Sequence, residues 1–250
     1  MSGEPAAPAG FRTRLVAWAG AGLIAAAALA FVANRNAAAP LPPGPEVSAK
    51  PTLMLLTTLP LVFGEKFGLE GGGSPALAAL AMRYKVIPIG IADAPTLGHR
   101  RLLLMAHPLA QPAEALVDLD RWVRGGGRLL LLADPMLEWH SERPLGDPFR
   151  PPPAFADTGL LGHWGLRLDA PDDRGPGTRM LGGQTILTVS PGSLVGKCPI
   201  SSDRLVARCR LGRGQATIVA DADFLDVDNL DGPTANNLDA MLVELAALER

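Results

Sequence analysis

Aromatic residues make up only 5% of the 250-residue chain, with seven Phe, four Trp and one Tyr. Composition therefore advertises no stacking platform for bases or sugars. Nor is there an excess of positive charge: 23 Lys and Arg stand against 25 Asp and Glu, a formal charge of −2. A nucleic-acid binder ordinarily carries a basic patch large enough to displace counterions, so no nucleic-acid partner is expected. Cysteine is limited to Cys198 and Cys209, and histidine to four residues. There is no second CxxC and no HxxxH or HxH spacing, which leaves a metal site without ligands. No cofactor-binding pattern stands out either. "GLEGGGS" and "RGGGR" have neither GxGxxG spacing nor a GK[ST] ending.

Apolar residues are abundant at 48%, together with 28 Gly and 24 Pro. That combination implies a sizeable core cut by many turns rather than disorder. Leu15–Ala33 runs without a charge and is long enough for a helix to cross a bilayer. Arg12 and Arg14 precede it and Arg35 follows, which weakly favours a cytoplasmic N-terminus. A cleaved signal peptide is the rival reading, since "ALA" at 28–30 and "AAA" at 37–39 offer small-residue cleavage sites. The expected organisation is a short cytoplasmic tail over 1–14, a transmembrane anchor over 15–33, a Pro/Ala-rich linker over 34–50 and an α/β domain over 51–250. That domain would then be periplasmic, on a single-pass inner-membrane protein. Cys198 and Cys209 could staple neighbouring strands in an oxidising compartment, or stand as two independent buried thiols.

From Thr52 onward, apolar runs alternate with helical patterns. "TLMLLTT" (52–58), "KVIPIGI" (85–91), "RLLLMAH" (101–107) and "RLLLLAD" (128–134) read as strands. Between them, Ser74 and Pro75 open one helix, while Pro112 and Gly125 bracket a clearer one with Leu116, Leu119 and Val123 as its core stripe. Strands apolar at every position, alternating with amphipathic helices, imply a mainly parallel sheet covered on both faces. "QTILTVS", "RLVARCR" and "QATIVAD" read as further strands, with antiparallel pairing at one edge, and the last helix shows Leu238, Met241, Leu242, Leu245 and Leu248 on one face. The proline-rich stretch 136–158 is irregular, and loops of that length are usually functional or mobile.

The densest polar stretch follows "QATIVA": aspartates at 221, 223, 226, 228 and 231. An EF-hand register starting at Asp221 puts Leu225 at the fifth position and Gly232 at the twelfth, and starting at Asp226 fails similarly, so a calcium loop is rejected. Asp221, Asp223, Asp134 and His107 all stand where a strand ends, and open α/β sheets bind ligands at that edge. Two readings follow: a His/Asp cluster ringing a crevice, or aspartates that cap their own turns. The turn is the expectation adopted. "GGSPA" (72–76) has Ala76 where a nucleophile elbow needs Gly, which makes Ser74 a helix cap.

"LLTTLPLVFGE", "RLLLMAHPLAQPAEALVDLDRWVRGGGRLLLLADP", "LLGHWGLRL" and "GQATIVADADFLD", with "NNLDAMLVELA" closing the series, occur in an order that resembles the extracytoplasmic domain of GldG-like proteins. These are auxiliary components of ABC-type transport systems linked to gliding motility, and the domain belongs to the class I glutamine amidotransferase-like superfamily. The resemblance spans roughly residues 51 to 248. It implies a flavodoxin-like three-layer α/β sandwich with some antiparallel edge strands. It also implies lost catalysis, because Ala133, Asp134 and Pro135 stand where an active amidotransferase has its cysteine. The expected function is thus a non-catalytic, membrane-anchored periplasmic domain that binds a ligand or partner, with the inner membrane and ABC permease or ATPase subunits as neighbours. The alternative is a periplasmic hydrolase using His107, Asp134, Asp221 and Asp223.

Overall fold

Strands β1 (Thr52–Thr57), β3 (Leu102–Ala106) and β4 (Arg128–Leu132) are apolar at nearly every position because both of their faces are covered. Side chains of a strand alternate between faces. Accordingly Leu53, Leu55, Leu104, Leu130 and Leu132 enter one core, while Met54, Leu56, Leu103, Leu129 and Leu131 enter a second on the opposite face. The computed structural model describes residues 50–62, 73–144 and 146–250. The expected tail, the anchor Leu15–Ala33 and the linker up to residue 49 lie outside the described residues.

With β2 (Lys85–Pro88), β9 (Val206–Leu211) and β10 (Gly214–Val219), these strands form a six-stranded sheet in the order β2-β1-β3-β4-β10-β9. The first five are parallel and β9 alone runs antiparallel, paired with β10. The fold is therefore mixed α/β with a mainly parallel sheet. Helices α1 (Pro75–Arg83) and α5 (Asn237–Leu248) feed the first core through Leu80, Met241 and Leu245. The second core receives Leu97 from α2 (Ala94–Leu97), Leu119 and Val123 from α3 (Ala113–Arg124), and Leu161 from α4 (Leu160–His163). The caps sit where the residues place them. Ser74 Oγ accepts the Leu77 amide at 3.1 Å, Pro112 is the N-cap of α3 and Gly125 its C-cap.

Two short antiparallel pairs stand apart from the sheet: β5 (Leu166–Asp169) with β8 (Ser193–Gly196), and β6 (Pro176–Leu181) with β7 (Gln184–Val189). β7, expected as a sheet strand, instead folds back on β6. The turn between them is Gly182–Gly183, both at positive φ, a two-residue hairpin signal that only glycine meets without strain. Cys198 and Cys209 are joined in a disulfide with their Cα atoms 5.0 Å apart, tying the segment before β9 to β9 itself.

Gly214, the first residue of β10, shows how tightly α3 closes on the sheet. A Cβ there would stand 1.9 Å from the Val123 carbonyl oxygen and 2.4 Å from that of Gly127. Both obstacles are backbone, so no rotamer change relieves them. Gly214→Ala is expected to cost about 3 kcal/mol or more, read as a lowered urea midpoint with an unchanged slope.

Candidate active site

β4 and β10 are neighbours, in register from Arg128↔Gln215 to Leu132↔Val219, so the residues that follow them emerge side by side. This places Asp134, Asp221 and Asp223 together at the carboxyl edge of the sheet, each at most 2% exposed. Asp134 accepts the amides of Met136 at 2.8 Å and Ala222 at 2.9 Å, and also that of Asp223. It thereby closes its own turn and ties the two strand-end loops to each other. Asp221 accepts the Phe224 amide at 3.2 Å and the Thr188 hydroxyl at 2.5 Å. Asp223 opens a 3₁₀ turn (Asp223–Leu225) and accepts the Glu138 amide at 2.9 Å.

Three carboxyls buried next to one another cannot all ionise cheaply. Burial first, opposed by the backbone N–H groups it accepts, raises Asp134 to about 6. Burial and the neighbouring Asp134 push Asp223 to about 8, with Glu138 and Asp226 adding to the rise. Asp221 is driven well above the ordinary carboxyl range by burial and by Asp134 and Asp223.

Only one of the three can meet a substrate. Asp134 and Asp221 are fully buried, whereas Asp223 lines a cavity of about 310 Å³ with Glu138, His140, Asp226 and Asn229. Glu138 is exposed, and its Oε1 accepts the Ser190 hydroxyl at 2.5 Å. Asp226 accepts the Asn229 side-chain amide at 2.7 Å and the His140 backbone N–H, and burial raises its carboxyl too. Ser190 has a left-handed backbone, φ 44°, but it is fully buried and its oxygen also accepts the Gly175 amide at 2.8 Å. It positions Glu138 and is in no place to attack a substrate.

His107 does reach the same edge, also at positive φ, 46°. Its ring, however, turns to the long loop, where Nε2 donates to the Pro152 carbonyl at 2.8 Å. Burial lowers its pKa, so the ring is neutral, and Nδ1 is buried without a partner. His107 is a strut for the loop and not a member of the aspartate cluster. Glu138 is the site residue that strand-end reasoning omits. The available signal was the alternation Leu137–Glu138–Trp139–His140, in which Leu137 and Trp139 pack on the first core. Among the described residues no group of three or more His, Cys, Asp or Glu side chains is arranged to hold a metal ion.

No protein-family model matches the chain, and no curated protein matches it either. Among solved structures it is similar to an exo-β-1,4-mannosidase from an Opitutaceae bacterium, strain TAV5, at 14% identity, 80% of this chain, 36% of that one and TM-score 0.46. A β-galactosidase from Bacillus circulans sp. alkalophilus is similar at 12% identity over 80% and 31% of the two chains, TM-score 0.43. A cytoplasmic protein from Salmonella typhimurium is similar at 10% identity over 79% and 98%, TM-score 0.48. The chain thus spans about a third of the length of these two glycosidases, and at such identities the likeness concerns the course of the backbone.

These findings correct three expectations. Against the expected non-enzymatic transporter accessory, the similar structures named here are glycosidases and a cytoplasmic protein. The expected loss of catalysis rests on the missing amidotransferase cysteine alone, and the candidate set His107, Asp134, Asp221 and Asp223 leaves out Glu138. Against the expected inner-membrane, periplasmic placement, two similar structures are named cytoplasmic proteins, and among the described residues, which leave out Leu15–Ala33, no helix is long and apolar enough to cross a membrane.

Proposed function

We propose that the chain is a hydrolase in which Asp223 is the proton donor and Glu138 the general base, working on a flavodoxin-like three-layer sandwich. The parallel strands run 2-1-3-4-5 across the sheet, with β10 as the fifth, and in sheets of that order ligands bind beyond the carboxyl ends. The observation that carries the reading is the Asp223 carboxyl, pushed up to about 8 and lining a cavity with the exposed Glu138. A carboxyl kept protonated at neutral pH beside a second, accessible carboxyl is the division of labour that hydrolysis requires. Glu138 takes a proton from water as the water oxygen attacks the electrophilic centre. Asp223 gives its proton to the departing group, and exchange with solvent restores both. The Glu138 carboxylate on the wall disfavours anions, so the substrate class is neutral or cationic.

A panel of 4-nitrophenyl glycosides, 4-nitrophenyl esters and peptide 4-nitroanilides tests this. Turnover of one class is expected, and with an unactivated substrate of that class, whose leaving group needs the proton, the rate falls above about pH 8 as the donor ionises. Absence of turnover on all three would overturn the proposal.

A further inference from the structure

The segment Leu137–His140 has a second side. Glu138 and His140 face the acidic cavity, whereas Leu137 and Trp139 line a separate pocket of about 220 Å³ folded out of the long loop. Its other walls are Pro151, Pro152 and Pro153, with Asp147 and Arg150 at the polar end. These walls are tied in place. The Leu137 amide donates to the Pro153 carbonyl at 2.9 Å, Phe155 to the Asp134 carbonyl at 2.6 Å, and His107 holds Pro152 from beneath. A ligand entering such a pocket orders little that is not already ordered.

The charges at the polar end do not cancel. The Asp147 carboxylate accepts the Phe149 amide at 2.8 Å and has the Arg143 guanidinium 3.8 Å away, so it is matched. Arg150 gives one N–H to the Arg143 carbonyl. Among the described residues no carboxylate pairs with it, although a guanidinium carries five donors in a planar fork suited to one. What remains is one positive charge at the end of a slot walled by an indole and three prolines.

We propose that this pocket binds a small carboxylate-bearing apolar ligand, with the carboxylate on Arg150 and the apolar body between Trp139 and Pro151–Pro153. The volume lies below the roughly 300–1,000 Å³ of drug-sized sites, which limits the ligand to an arylalkanoate or a comparably small acid. The site is independent of the hydrolytic reading, since neither Asp223 nor Glu138 lines it.

The test titrates the full chain with 3-phenylpropionate and with 3-phenylpropionamide, followed by calorimetry and tryptophan fluorescence. The carboxylate is expected to bind at least about tenfold more tightly than the isosteric amide, which offers no charge to the fork. Arg150→Gln should remove that preference, and Trp139→Phe should remove the fluorescence change while the calorimetric signal persists. Equal binding of acid and amide to the wild-type chain, no binding of either, or an undiminished preference in a folded Arg150→Gln variant would each overturn the proposal. The wild-type comparison stands even where a variant fails to fold.

Discussion

Asp223→Asn is expected to lower hydrolytic turnover by about 10²–10⁴-fold, the usual worth of a positioned proton donor. The substitution is nearly isosteric, and the asparagine carbonyl can still accept the Glu138 amide that Asp223 accepts at 2.9 Å. The loop therefore keeps its place and the loss reports chemistry. Glu138→Gln should cost a similar factor for a different reason, since the amide cannot take a proton from water. Leaving-group dependence separates the two. An activated 4-nitrophenyl substrate needs little protonation on departure, so it should recover much of the rate in Asp223→Asn and little in Glu138→Gln. Equal rescue of both, or of neither, would mean that the roles are misassigned.

Asp134→Ala should produce the largest stability change in the site. Its carboxyl is fully buried and accepts the amides of Met136 at 2.8 Å and Ala222 at 2.9 Å. Truncation strands those donors where water does not reach, at about 1–3 kcal/mol for each buried group left unpaired. A loss of about 2–5 kcal/mol follows, measurable as a shift in denaturation midpoint. Asp134→Asn keeps one acceptor and should lose less.

The pH dependence carries a sign that distinguishes this cluster from ordinary surface aspartates. Asp134 and Asp223 are raised from 3.8 to about 6 and about 8, so the folded chain holds more protons than the unfolded chain across that interval. Stability from these groups is complete below about pH 4 and is lost as the pH rises through 6 and 8. Removing the Asp134 charge should flatten the decline, because Asp223 and Asp221 then lose a shared source of repulsion.

Sheet and site were not equally legible. Strands β3 and β4 could be read because burial on both faces demands an unbroken apolar run, and α3 because Pro112 and Gly125 mark its ends. The meeting of Asp134 with Asp221 and Asp223 followed from strand ends alone, since parallel neighbours release their loops at one edge. β6 hid because its residues alternate between exposed and half-buried up to the buried Leu181 and begin with proline, leaving Gly182–Gly183 as the clue. The alternation Leu137–Glu138–Trp139–His140 marks Glu138 as exposed but does not say what it faces. Its position depends on a proline-rich loop returning to hydrogen-bond Leu137 to Pro153, a long-range closure without periodicity. For the same reason a strand end alone groups His107 with the aspartates, whereas its ring faces the loop at Pro152.

The most direct measurement is the ionisation of Asp223 itself, followed by carboxyl ¹³C chemical shifts with the resonance assigned by its loss in Asp223→Asn. The account predicts a midpoint near 8, moving lower in Asp134→Asn. A midpoint near the ordinary aspartate value of about 4 would contradict it, since Asp223 would then have no proton to give at neutral pH.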